Sequence, residues 1–198
     1  AAPVLLAALQ SMQSGKLIPE VHLDVLEALR ASTNKEVQDA LAKFEASQAA
    51  DPFAPYAGTL HGGDPAKGKD LFNLHLAAQC IRCHSVDAGG STVGPSLGQI
   101  GAKEPQFLLE SLVSPSASIA PGYGLTSITL KDGDTLTGTL TEETAESLTI
   151  RLADETTRTI PRPEVASQSP PVSSMPPMNL LLTTPELRDI LAYLQSLR

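Results

Sequence analysis

The sequence contains no tryptophan, and only three tyrosines and four phenylalanines among 198 residues. A core for this chain must therefore be built from Leu, Val, Ile and Ala, and any large flat apolar body has to come from a bound group. Basic residues are also short, 14 Lys and Arg against 22 Asp and Glu, for a formal charge of −8. That balance excludes nucleic acid as a partner, because phosphate binding needs a clustered excess of cations. Long apolar runs are missing too. The longest near the start, Val4 to Leu9, is too short to span a bilayer and has no basic residue before it. It is neither a transmembrane helix nor a complete signal peptide, so the chain reads as already processed or excised. A chain of this length can hold more than one compact unit.

Only two cysteines are present, and both fall in Cys80-Ile81-Arg82-Cys83-His84. Two cysteines two residues apart, followed at once by histidine, form the attachment signature of a c-type haem. The thiols add to the vinyl groups and the histidine ligates iron. A redox dithiol has no need of the adjacent histidine, and a structural zinc site needs two further ligands that no other cysteine can supply. Both thiols are then consumed by thioethers, which leaves no disulfide. Covalent haem attachment is extracytoplasmic in bacteria, so a periplasmic or otherwise exported protein is expected.

Along the chain, residues 1–50 read as three short amphipathic helices. Their apolar positions are Leu5, Leu6 and Leu9, then Val21, Val25 and Leu29, then Val37, Leu41 and Phe44 behind an Asn34 N-cap. Residues 51–63 turn to Pro, Gly, Tyr and Ala and read as a linker. Asp64-Pro65 starts a helix leading into the haem motif. After the motif, Gly89-Gly90 and Gly94 permit close approach to a porphyrin edge. Pro95 and Leu97 are cofactor-binding candidates, with the carbonyl region at Pro95 placed to accept the imidazole N–H of His84. His22, His61 and His75 read as ordinary surface or loop histidines.

Between about 124 and 168 the period changes. Ile128, Leu130, Leu136, Leu140, Leu148, Ile150 and Leu152 occupy even positions among Thr and Ser, the alternation of three or four half-buried strands. Lys131-Asp132-Gly133-Asp134 supplies a hairpin turn, and Glu142, Glu143, Asp154 and Glu155 read as solvated turn charges. Met175-Pro176-Pro177-Met178 forms a stiff extended segment before a last helix starting near Thr183-Thr184-Pro185-Glu186. A methionine held there is the leading candidate for a sixth iron ligand opposite His84.

The order Gly68…Phe72, Cys80-x-x-Cys83-His84, Gly94-Pro95, Met175-Pro176 and Tyr193-Leu194 resembles a class I cytochrome c. Leu60-His61-Gly62-Gly63-Asp64, Leu108-Leu109-Glu110-Ser111, Pro115 to Tyr123 and Leu182 to Leu197 bring it closer to one group. This is the haem-binding domain family of planctomycete and verrucomicrobial proteins, found C-terminal to propeller and HEAT-repeat dehydrogenase-like regions. The resemblance covers roughly residues 60–198. It implies Met175 rather than Met178 as ligand, and makes residues 1–50 the tail of a helical-repeat array.

The expected fold is mainly α. It comprises an N-terminal HEAT-like helical segment (1–50), a linker (51–63) and a cytochrome c domain (64–198) with a small antiparallel β insertion at about 124–168. The expected function is electron transfer through one covalently attached haem c, with Cys80 and Cys83 as thioether donors and His84 and Met175 as iron ligands. No catalytic residues are expected. A dehydrogenase donor and a cytochrome or oxidase acceptor are the implied partners, and the apolar faces of the N-terminal helices leave a dimer open. The rival is a haem enzyme or gas-binding sensor with a labile sixth ligand; a third reading makes the β segment a protein-docking module.

Overall fold

The computed structural model describes residues 1–87, 91 and 93–198. Residues 89 and 90, expected beside the porphyrin edge, lie outside the described residues.

Three helices open the chain: α1 (Ala2–Gln13), α2 (His22–Ala31) and α3 (Lys35–Ser47). Asn34 caps α3, its side chain accepting the Val37 N–H at 3.2 Å, one of the donors a helix start otherwise leaves unpaired. Leu9, Met12, Leu26, Leu29, Val37 and Leu41 close a core between the three. This unit meets the rest of the chain through α2 and the turn before it, where the Glu20 backbone lies against Gly62. Arg188 Nη1 donates to Asp24 Oδ2 at 3.1 Å, and Leu23 lies against Gly58.

A second core is built by α4 (Pro65–Leu74), α5 (Pro105–Val113) and α6 (Thr184–Ser196). Asp64 caps α4, its Oδ1 accepting from Ala66 N at 2.9 Å and Lys67 N at 3.3 Å. At α6 the cap is Thr183, in a full capping box with Glu186. Phe72, Leu108, Leu109, Leu112, Leu187, Ile190, Leu191 and Tyr193 fill the space between them. Helices α4 and α6 cross closely because Gly68 removes the side chain at their contact, where a Cβ would stand 1.9 Å from the Asp189 carbonyl oxygen.

The remaining architecture is a six-stranded antiparallel sheet. Its strands are β1 (Gly124–Leu130), β2 (Thr135–Glu143), β3 (Ser147–Arg151), β4 (Thr157–Pro161), β5 (Val165–Gln168) and β6 (Val172–Ser173). The order is β4-β3-β2-β1-β5, with β6 also paired to β1. Even-numbered residues point inward as the alternation requires: Ile128, Leu148 and Ile150 are fully buried, and Leu130 and Ile160 nearly so. Odd-numbered hydroxyls pair on the other face, Ser127 with Thr137 at 2.8 Å and Thr149 with Thr159 at 3.2 Å. Among the described residues the strands pack on one another rather than on the helices. The apolar face is therefore covered by the sheet curling over itself, helped by bulges at Thr129/Leu130 and Leu140/Glu142.

This corrects the mainly-α expectation. With 46% of the chain helical and 16% in strands, the fold is mixed α and β. The sheet has its own closed core, Ile128, Leu130, Leu148, Ile150 and Ile160, and six strands instead of three or four. It runs on to Ser173, beyond the expected end near 168.

Candidate functional site

The motif sits just past the end of α4. His75 leaves helical geometry at the C-cap, and Gln79 adopts a left-handed conformation, φ 46° and ψ 41°, uncommon for a residue with a side chain. Its amide is tied at both ends: Nε2 donates to Leu76 O at 2.8 Å and Oε1 accepts from Arg82 Nη1 at 2.7 Å. That bend starts a 3-10 turn over Cys80–Arg82, in which the N–H of Cys83 donates to Cys80 O at 3.1 Å and that of His84 to the same oxygen at 2.9 Å. In such a turn residues three apart eclipse, so the spacing of Cys80 and Cys83 presents both thiols to one side. Cys80 is half-buried and Cys83 exposed. Burial, chiefly, pushes the Cys80 thiol above its ordinary value, with the neighbouring Cys83 adding to it. A reactive dithiol needs the opposite, a lowered thiol.

His84 is oriented by the returning chain. Gly94 N donates to Cys83 O at 2.7 Å and Leu97 N to Ser85 O at 2.7 Å, which brings the Pro95 carbonyl to 2.9 Å from His84 Nδ1. A carbonyl can only accept, so Nδ1 carries a proton and Nε2 is the ring nitrogen turned over to a metal, the orientation a metal-binding imidazole requires. Gly94 is necessary here, because a Cβ would come within 2.8 Å of the His84 ring.

The other candidates fall into place around one core. Cys80, Leu97 and Met175 all pack at the margin of the α4–α5–α6 core, half-buried, whereas Met178 is inside it at 3% exposure. Ile81, between the two cysteines, and Val93, on the segment that returns to His84, are 49% and 65% exposed, which leaves apolar surface at the motif. A large apolar group attached there would cover such surface. The paired thiols, the oriented imidazole and this apolar margin fit a covalently attached haem.

Two of the remaining histidines are committed elsewhere. His75 Nδ1 accepts the Ala78 N–H at 3.0 Å, and its Nε2 lies 3.6 Å from Glu186. His22 Nε2 donates to Leu17 O at 3.1 Å, and His61 is exposed. No three His, Cys, Asp or Glu side chains come together as a metal cage among the described residues. Sequence reasoning missed Gln79, whose positive φ carries no glycine or asparagine signal. It also missed Ser116 and Ser173, described below.

Residues 65–149 match the family model for Cytochrome c, less than half of the 198-residue chain. The match supports a cytochrome c, a haem-binding electron-transfer protein, and its cofactor is a covalently attached haem c. No curated protein matches the chain. The matched stretch begins at the first residue of α4 and stops inside β3. Met175 and α6 fall beyond it, although α6 completes the core that α4 begins. No helix among the described residues is long and apolar enough to cross a membrane.

Proposed function

We propose that the chain is a single-haem c-type cytochrome of the periplasm. It passes one electron at a time from a dehydrogenase to a cytochrome or oxidase, with iron held by His84 and Met175 and the haem by Cys80 and Cys83. The observation that carries this reading is the His84 imidazole, its Nδ1 bonded to the Pro95 carbonyl and its Nε2 without a hydrogen-bond partner among the described residues, immediately after the turn of two cysteines. Haem iron with histidine and methionine ligands exchanges single electrons between Fe(III) and Fe(II) and leaves no open position for substrate. The chain supplies insulation, a fixed imidazole and a docking surface. Pro95 and Leu97 line the cofactor. Residues 1–50 form a helical segment, 51–63 a linker and 64–198 the cytochrome domain. Close resemblance to the planctomycete and verrucomicrobial family points to a dehydrogenase as donor. The net charge of −8 favours a basic partner surface, with association slowing as salt rises.

Optical spectra of the oxidised and reduced holoprotein test the reading. A low-spin c-type spectrum is expected, with a near-infrared methionine-to-iron band that Met175→Ala removes. Since Met178 is a core residue, Met178→Ala is expected to lower stability by about 2–5 kcal/mol and keep the band. A high-spin spectrum with ready carbon monoxide binding would overturn the electron carrier in favour of an enzyme or sensor.

A further inference from the structure

We infer that Ser173 is a positioning residue for Met175, secured by Ser116, and that the base of the β-sheet serves the haem site through this pair. The inference rests on the reading of Met175 as the sixth ligand.

Ser173 Oγ accepts the Met175 backbone N–H at 3.1 Å, and the Ser173 N–H donates to Ser116 Oγ at 3.0 Å. Ser173 is also the last residue of β6, where it pairs with Gly124 at the start of β1. Ser116 follows closely on α5, whose Leu108, Leu109 and Leu112 belong to the helical core. Three attachments thus converge two residues before Met175: the sheet register, the tether to the end of α5, and the forward hydrogen bond. On the other side, Pro176 and Pro177 restrict φ and Met178 anchors the chain in the core.

This arrangement also accounts for how the sheet can be accommodated ahead of the methionine. The pairing of Gly124 with Ser173 returns the chain to the place it left, so the inserted strands add no slack to the methionine segment. A thioether is a neutral, weak donor, and its retention on iron depends on a loop already ordered in the binding conformation.

The test uses ferric holoprotein titrated with imidazole, which competes for the sixth position, together with the near-infrared band. Loss of one hydrogen bond in Ser173→Ala is expected to raise apparent imidazole affinity roughly fivefold and weaken the band. Ser173→Thr, which keeps the hydroxyl, is expected to restore both. In a Met175→Ala background, Ser173→Ala is expected to add nothing, since it acts through the methionine; a further fivefold gain there would overturn the inference. Wild-type affinity and band in Ser173→Ala would overturn it as well. If Ser173→Ala does not fold, Ser116→Ala takes its place, with a gain of about twofold expected and no gain overturning the inference. Persistence of the band in Met175→Ala is a separate outcome: it removes the ligand assignment itself.

Discussion

Phe72 of α4 and Tyr193 of α6 meet edge to face, ring centroids 5.6 Å apart at 60°, one turn along from the point where Gly68 lies against Asp189. The aromatic pair and the glycine are two parts of one contact. The glycine lets the helix backbones approach, and the approach brings two of the chain's few aromatic rings into the geometry their quadrupoles prefer. In an exposed helix, Gly68→Ala would gain about 1 kcal/mol from propensity alone. Here the added methyl meets backbone, which cannot swing away, so a net loss of about 1–3 kcal/mol is expected. Urea denaturation of the holoprotein reads it, and a stabilised variant would refute the close crossing.

The same reasoning applies at the imidazole. Gly94→Ala puts a methyl against the His84 ring, so the ring must turn and the bond to Pro95 O must lengthen. Loss of such an orienting contact commonly costs 10–100-fold in metal affinity or activity. In the holoprotein the expected readout is a shifted reduction potential and a mixed-spin ferric spectrum. An unchanged potential would mean that Gly94 serves the backbone alone.

The Thr183–Glu186 box gives a pH dependence. Hydrogen bonds from the Thr183 backbone N–H and hydroxyl, with a smaller contribution from His75, hold the Glu186 carboxyl below its ordinary value of 4.5. A carboxyl lowered by folding stabilises the folded state above its unfolded value, and that contribution is lost as pH falls through the folded one. Glu186→Gln is therefore expected to flatten this part of the acid limb while leaving the neutral-pH spectrum intact. Thr183→Ala is expected to cost about 1 kcal/mol at neutral pH. Stability measured from pH 7 down to pH 3 checks both, and an acid limb unaltered in Glu186→Gln would count against the box.

Much of this was legible in the sequence. Asp64-Pro65, Asn34 and the Thr-x-x-Glu before the last helix are local signals, because a cap is satisfied by neighbours in the chain. The even-numbered Ile and Leu of β1 and β3 announced strands in the same way. What escaped notice was held by tertiary pairing. Thr157–Pro161 has one inward apolar residue, Ile160, and Val172–Ser173 is only two residues long. Neither has a period to detect, and each is a strand because β3 or β1 lies beside it. The sheet was therefore undercounted and the fold read as mainly α. The role of Ser173 was hidden for the same reason, since its partners Ser116 and Gly124 are far away in sequence.

Because the sheet's strands pack on one another rather than on the helices, damage to its core should remain local. Ile150 is fully buried between Leu148 and the facing strands, and Ile150→Ala is expected to cost about 2–5 kcal/mol. Amide hydrogen exchange resolves where that loss falls. Protection is expected to drop throughout β1 to β5 and hold in α4 and α6, whose contact involves no strand. The Met175 amide is the informative exception. Met175 packs at the margin of the helical core, yet the acceptor of its N–H is the last residue of β6, so its exchange should quicken with the strands if the base of the sheet sets the methionine segment. Exchange at Met175 that follows α6 instead would separate the methionine from the sheet and assign its placement to Pro176, Pro177 and the buried Met178.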